Sequence, residues 1–479
     1  MRYNRANNIM AFAAVVFLAA GCTKWDDHNQ SLDPKADKTL LQQITETADL
    51  SKFASLVVKS GIDKEIGGSK TYTVYAPSNA ALATLDATIE ADSARLRQFV
   101  SNHITSQTYY TSAVTAEKRI PMLNNKYQNI NGKKIDDANI TLADQYAKNG
   151  VLQVIDKMLP YRNNSWEFIE TNPLMPLLQK AYLMRNFYNI LDVANAVQIG
   201  VDTLGRPIYQ PGTDSIRTNF FWRNVYDIRD ETKQFTTFVL TDAAWVTESL
   251  RLDPYYRDSL NLYYTNANMI REYAIEGAFD AASLPDTIVS KYNVKLGVPK
   301  SAIVQTIKTS NGYVHILNKA TVRLQDKFKT IVIEAENYNA TSASRAGNIY
   351  KREMLDSIPG RRFVDLVAYN HGLALFNFRY NVNGLVGRQK YRVYWVAVNN
   401  SINGITTPFT QKLGIDTATS VKFFGYTTVP MFNYKEQLIG EFTLPEFRNN
   451  TNVFLTAANT TVAGTNAITC DYIRFEPVF

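Results

Sequence analysis

Between residues 38 and 57 the apolar positions Leu40, Leu41, Ile44, Leu50, Phe53, Leu56 and Val57 recur mostly three or four residues apart. That spacing lays them along one face of helical chain. The pattern then changes. Residues 72–82 read Y-T-V-Y-A-P-S-N-A-A-L, a short strand running through a Pro-Ser-Asn turn into a helix, with Ser78 or Asn79 as its N-cap. Residues 91–104 return to helical spacing, and irregular or strand-like sequence follows to Leu159. Residues 149–160 read N-G-V-L-Q-V-I-D-K-M-L-P: a turn-forming Asn-Gly pair, then alternation. Leu152, Val154 and Asp156 share one face and Val151, Gln153 and Ile155 the other, which predicts a strand covered on both sides.

Both elements return. Residues 235–245, F-T-T-F-V-L-T-D-A-A-W, repeat the strand–turn–helix, with Thr241 or Asp242 as the cap. Residues 311–322, N-G-Y-V-H-I-L-N-K-A-T-V, repeat the Asn-Gly strand. The offsets, Tyr72 to Phe235 and Asn149 to Asn311, are 163 and 162 residues. Two elements repeating at one interval predict a duplicated domain rather than a short-repeat solenoid. The first copy takes residues 38–160 and ends at a turn-rich break. The second takes 165–322, opens with helices over 165–185, places a helix at 266–278 and closes with strands over 302–322. An insertion at 198–234 is rich in Gly, Pro and Asp. Its aromatic flank, Asn219-Phe220-Phe221-Trp222-Arg223-Asn224-Val225-Tyr226, reads as a packed strand or hairpin, the alternative being an exposed contact loop.

Past a short charged linker at 323–329 the helical period almost disappears. Apolar or alternating runs at 331–338, 373–382, 391–398, 421–429, 438–444 and 453–458 are separated by Gly, Asn and Pro, which predicts a β-sandwich over 330–479. Trp395, between Tyr394 and Val396, reads as core. The fold class expected is therefore α+β: two α+β domains followed by an all-β sandwich.

Y-T-V-Y-A-P-S-N-A-A-L, the helix L-R-Q-F-V-S-N-H-I at 96–104 and N-G-V-L-Q-V-I-D-K-M-L-P together resemble the fasciclin-type adhesion domain in order and spacing. The family usually has His where Gln153 stands, and the second copy keeps it as His315. The second copy lacks the Ala-Pro pair and reads Glu276-Gly277 where the first has Asn102-His103. The opening I-E-A-E-N-Y and closing D-Y-I-R-F-E-P-V of the last region resemble the ends of jelly-roll carbohydrate-binding modules, especially family 6.

The first 22 residues carry Arg2 and Arg5, then an apolar stretch too short to span a bilayer, and end L-A-A-G-C. This resembles a bacterial lipobox and implies lipidation at Cys22; the alternative is a plain secretory leader with an incidental Cys. Residues 23–37 form a polar tether, and Thr23-Lys24-Trp25-Asp26-Asp27 resembles the surface-export signal of Bacteroidetes-type lipoproteins. The resemblance implies an outer-membrane, lipid-anchored, surface-exposed protein whose partners are outer-membrane transporters and other surface lipoproteins. Losing Arg2 and Arg5 with the leader takes the formal charge from +7 to +5. Basic residues are scattered without a block, so nucleic acid is not an expected partner. With Cys22 lipidated, Cys470 is left alone and no disulfide framework forms within the chain.

No nucleophile elbow, H-E-x-x-H, Walker loop or paired Cys is present, and no enzyme activity is expected. His28, His103, His315 and His371 are dispersed, and packed roles are expected for His103 and His315. Glu334 and Glu336, two apart on one predicted strand, would share a face and repel. In the modules resembled, these glutamates and the Asp of the closing strand hold a structural Ca²⁺, which maps to Glu334, Glu336 and Asp471; a solvated edge strand is the plainer alternative. The same resemblance maps a glycan site to the loop end, with Tyr369 as the aromatic and Asn466 as the amide. The expected function is adhesion or glycan capture at the cell surface, accessory to an outer-membrane glycan-uptake system. The alternatives are a structural subunit that binds protein, and a hydrolase with an unrecognised carboxylate pair.

Overall fold

The structure is a computed structural model that describes residues 36–479 except 69, 258–261, 286, 357–359 and 418. Cys22 and His28 lie outside the described residues. The chain divides into two compact units, 36–164 with short pieces at 229–234 and 309–311, and the remainder from Ser165 to Phe479.

In the first unit the strands run in the order Ile104–Thr105, Tyr72–Pro77, Gly150–Ile155, Ala138–Ala147, Lys134–Ile135, Tyr127–Asn131 and Lys118–Pro121. Tyr72–Pro77 and Gly150–Ile155 pair in parallel, from Tyr72 opposite Gly150 to Pro77 opposite Ile155. Every residue of Tyr72–Pro77 is buried, and so is every residue of Gly150–Ile155 except the first. Val74, Ala76, Leu152 and Val154 join the core under the helices Leu40–Glu46, Ser51–Lys59 and Ser93–Ser101. Tyr75 and Ile155 face a second core with Tyr109, Ile120 and Ile130.

The Asn-Gly pair works differently from a two-residue turn of its own. The turn is Lys148-Asn149, and Gly150 already belongs to the strand, paired with Ala147 and Tyr72. At φ +147° a Cβ on Gly150 would lie 1.9 Å from the Tyr72 carbonyl oxygen, so only glycine permits the strands to close. Asn149 fixes the corner: its side chain accepts from the Leu40 N–H at 2.8 Å and donates to the Ile66 carbonyl at 2.6 Å.

The second copy repeats this register. Phe235–Leu240 pairs in parallel with Gly312–Leu317, from Phe235 opposite Gly312 to Leu240 opposite Leu317. A Cβ on Gly312 would meet the Phe235 carbonyl oxygen at 1.9 Å. Thr241 caps the helix Asp242–Tyr256, accepting from the Ala244 N–H at 3.3 Å. The equivalent stretch in the first copy makes only the 3₁₀ turn Ala81–Thr84, with Ser78 Oγ accepting from the Ala81 N–H at 3.2 Å. Asn79 instead ties back to the Lys52 N–H at 2.9 Å. The helix expected over 266–278 stops early: Tyr263–Ile270 is helical and Ala274–Glu276 joins the sheet beside Phe235–Leu240. The Phe238 N–H donates to the Tyr273 carbonyl at 2.9 Å, and that edge pairing outweighs the helical spacing.

Within the insertion, Gln198–Val201 pairs with Pro207–Tyr209, while Ser215–Asn219 pairs with Phe187–Leu191, a strand that lies ahead of the expected 198–234 bounds. Its aromatic flank is a short helix, Phe220–Asn224, capped by Asn219. Trp222 packs edge-on against Trp166 and Phe187, with ring centroids 4.8 and 5.3 Å apart. The packed reading therefore holds, as a helix rather than a strand.

From Ile331 the regular structure is strand, apart from the 3₁₀ turns Ala346–Asn348 and Ile402–Gly404. One sheet orders Ile331–Glu334, Tyr472–Val478, Lys390–Trp395 and Gln437–Thr443; another orders Ala340–Thr341, Asn377–Val382, Thr451–Ala457, Phe409–Asp416 and Val421–Phe423. Ile349–Leu355, Arg362–Ala368 and Ile468–Cys470 form a third. Tyr391, Val393, Trp395, Ile473 and Phe475 from the first sheet and Phe378, Leu413, Val453 and Leu455 from the second share one buried core. Trp395 is fully buried and donates from Nε1 to Gln437 at 3.1 Å.

Candidate functional site

The paired registers decide which residues of the two copies correspond. Val74 pairs with Ile104 in the first copy, and Thr237 with Ala274 in the second. His103 therefore corresponds to Tyr273 and Asn102 to Glu272, not to Gly277 and Glu276 as sequence spacing suggested. A short edge strand carries too little pattern to fix its own register; the sheet sets it.

These pairs lock the end of a helix to the chain that leaves the sheet. His103 is fully buried; its Nδ1 bonds the Phe99 carbonyl and its Nε2 accepts from the Leu159 N–H, both at 2.9 Å. Burial pulls its pKa down to about 4, against the Phe99 hydrogen bond. Asn102 donates to the Leu159 carbonyl at 3.1 Å. In the second copy Glu272 accepts from Lys327 Nζ at 2.6 Å and from the Ser290 hydroxyl. Gln153 and His315 hold equivalent places: Gln153 Nε2 donates to the Tyr109 carbonyl at 3.2 Å, and His315 Nε2 bonds the Phe279 carbonyl at 2.9 Å. All three histidines in the described residues are buried and hydrogen-bonded, His371 by its Nε2 to the Asn466 carbonyl at 2.8 Å. Beside His103, Leu85, Ile89, Phe99 and Met158 line an open cleft of about 630 Å³ with Arg95 at its edge.

In the sandwich, Glu334 ends the strand Ile331–Glu334, and Glu336 lies in the turn after it rather than on the same strand face. The Ala335 N–H between them donates to the Asp471 carbonyl at 2.8 Å, tying the first strand to the last. Asp471 is buried, and Arg361 Nη2 donates to it at 2.6 Å. Burial pushes the Asp471 carboxyl up to about 7; Arg361 holds it down, and Glu334, Asp365 and Glu336 add to the rise. Burial also raises Glu334, with the Glu336 charge adding to it. Glu336 Oε2 is buried without a hydrogen-bond partner. The donor chemistry suits a hard cation, yet among the described residues no three His, Cys, Asp or Glu side chains are arranged to hold a metal. As placed, Arg361 supplies the positive charge. Next to Asp471, Cys470 is fully buried, which raises its thiol pKa well above the usual range and keeps it unreactive.

Tyr369 follows the strand Arg362–Ala368 and stacks on Tyr350, centroids 5.0 Å apart and planes at 14°. Tyr350 is 40% exposed. Asn348 donates across the same edge to the Asn370 carbonyl at 3.1 Å. Asn466 is not beside them at the surface. It is fully buried, and its carbonyl anchors His371 beneath the loop. The structure thus brings out Tyr369 with an aromatic that sequence reading missed, and withdraws Asn466 from ligand reach.

A second aromatic platform lies on the sheet face. Gly414 sits mid-strand opposite Phe423, and a Cβ there would meet the Phe423 ring at 2.5 Å. Lys412 Nζ stands over the Phe423 and Tyr426 rings at 4.4 and 4.6 Å, and the two rings are 47% and 44% exposed. The available signal was a glycine inside a strand, which marks a close approach.

Sheet order and register define the class: a duplicated α+β domain followed by an all-β sandwich. Residues 48–161 match the fasciclin domain. No curated protein matches the sequence. Among solved structures, the chain is similar to a fasciclin domain pair from the insect cell adhesion molecule fasciclin I, at 15% identity, over 58% of this chain and 98% of that one, with a TM-score of 0.24. It is similar to a family 35 carbohydrate-binding module from Clostridium thermocellum at 14% identity, over 31% of this chain and 97% of that one, TM-score 0.21. A family 6 module from Clostridium cellulolyticum, in complex with xylose, gives 14%, 31% and 97%, TM-score 0.19.

Proposed function

We propose that this protein is a non-enzymatic surface lipoprotein for adhesion or glycan capture, anchored through Cys22 in the outer membrane and serving a glycan-uptake system there. The observation that carries the reading is the stacked Tyr350–Tyr369 pair at an exposed edge of the sandwich. Flat aromatic faces beside amides and carbonyls are what a sugar ring needs, since its C–H face packs on the ring while its hydroxyls find polar partners. The fasciclin domain at 48–161 supports the adhesive half of the reading. A structural Ca²⁺ belongs to the same proposal, taken by Glu334, Glu336 and Asp471 once the half-exposed Arg361 side chain gives way.

A glycan array on the mature chain tests it, with Tyr369→Ala expected to weaken the best ligand about tenfold, in line with a lost stacking ring. Binding lost in Phe423→Ala but kept in Tyr369→Ala would move the site to the sheet face. An empty array, with a transporter or lipoprotein co-purifying, would favour the structural-subunit reading. Cleavage products from the same glycans would overturn the non-enzymatic one.

A further inference from the structure

Within the second unit a cleft of about 510 Å³ opens between the second α+β domain and the sandwich. That volume is in the range of small-ligand sites. Its walls are aromatic. Phe447, from the sandwich, meets Tyr256 and Tyr264 with ring centroids 5.7 and 5.4 Å apart. Opposite, the Arg271 guanidinium lies against the rings of Phe220 and Tyr292, at 5.5 and 5.7 Å. The frame is tight: the Gly387 N–H donates to the Tyr255 carbonyl at 2.9 Å, and a Cβ on Gly387 would meet the Phe447 backbone nitrogen at 2.7 Å.

The charges in this cleft are unbalanced. Lys327 and Glu272 form a buried pair at 2.6 Å, with side chains 7% and 1% exposed, and cancel. Arg271 and Lys329 remain, so the lining carries net positive charge. Arg271 Nε is buried and has no hydrogen-bond acceptor. A buried guanidinium donor without an acceptor is destabilising, and an anion that supplies one removes the penalty on binding. Two rings hold the guanidinium plane in place, so the fork is oriented before the anion arrives.

We propose that this cleft binds a sugar ring bearing a carboxylate or a sulfate, the ring against Tyr264 and Phe447 and the anion on Arg271 and Lys329. The inference rests on the glycan-capture reading but uses none of the residues at the Tyr350–Tyr369 edge. Lys329 Nζ donates to the Tyr292 carbonyl at 2.9 Å but has no counter-charge in the cleft lining apart from Glu272, which Lys327 already pairs. A neutral sugar would leave the positive charge of Arg271 and Lys329 unbalanced, so the cleft selects for charge.

Calorimetric titration of the mature full chain at low salt tests this with three probes: trigalacturonic acid, a sulfated chondroitin disaccharide and neutral galactotriose. At least one acidic probe is expected to bind tenfold or more tightly than the neutral one, and to weaken as salt rises. Whichever acid binds names the anion. Arg271→Gln is expected to weaken the acidic probe about tenfold. Lys329→Gln, at an exposed side chain, is expected to weaken it about threefold and serves if Arg271→Gln does not fold. Equal binding of acidic and neutral probes, or acidic binding untouched in the folded variants, overturns the proposal. A neutral glycan found on the array while both acids fail here would sink the cleft and leave the sandwich-edge reading standing.

Discussion

At the scale of single residues, two buried titratable groups give opposite pH signatures. His103 is neutral in the fold, with its pKa lowered from 6.5 to about 4. The unfolded chain therefore binds a proton that the folded chain refuses between those values, and stability falls as pH drops from about 6.5 to 4. The loss is on the order of 3 kcal/mol for the group. His103→Gln should flatten that part of the profile in calorimetric unfolding at the expense of stability at pH 7; an unchanged slope would show that His103 does not titrate on unfolding. Asp471 runs the other way. Its carboxyl, raised to about 7 by burial, holds its proton in the fold while the unfolded chain has lost it, so its contribution is present at low pH and disappears as pH rises through 7. Asp471→Asn should remove that decline. Calcium would do the same in wild type by taking the place of the proton, adding about 2.7 kcal/mol at a hundredfold excess over Kd. A melting temperature indifferent to calcium and chelator at pH 8 rejects the ion and leaves Arg361 as the cation of the site.

At the scale of elements, the two parallel strand pairs depend on one glycine each. Gly150→Ala and Gly312→Ala would each drive a Cβ into the carbonyl oxygen of the opposing strand at a φ that disfavours alanine. Each should cost about 3 kcal/mol or more. Because the strands belong to different units, Gly150→Ala should lower the transition of the first unit alone and Gly312→Ala that of the second. Hydrogen exchange localised to residues 72–77 and 150–155, or to 235–240 and 312–317, checks this; equal loosening of both units by either variant would contradict it. The Asn-Gly motif was visible in the sequence, but its reason was not. Local turn chemistry suggested a left-handed turn residue, whereas the structure shows a close approach between strands. Ile349–Leu355 and Arg362–Ala368 escaped the sequence reading because the charges in I-Y-K-R-E-M-L and R-F-V-D-L-V-A obscure the alternation. Arg352 and the buried Asp365 meet across that pair at 2.9 Å, so the charges satisfy each other inside the sheet.

At the scale of the whole molecule, the anchoring proposal predicts that Cys22→Ser abolishes labelling by a palmitate analogue and releases the protein from the outer-membrane fraction. Labelling and fractionation like wild type would end it. The sequence by itself determined the duplication, the all-β character of the last region and the α+β class, because period, capping and turn residues act within a few positions of one another. The packed roles of Trp395, His103 and His315 were legible for the same reason: each sits inside a recognisable strand or helix pattern. Tertiary structure alone decided that Tyr273 stands where His103 does, since sheet register is a property of two strands and not of one. It alone buried Asn466, moved Glu336 off the strand and set Arg361 on Asp471, because burial and charge balance depend on neighbours a hundred residues away. The cleft around Arg271 draws its lining from positions between Phe220 and Asn449, and no local pattern brings such positions together. Only the closure of the sandwich against the helix Asp242–Tyr256 does, and that closure is long-range packing.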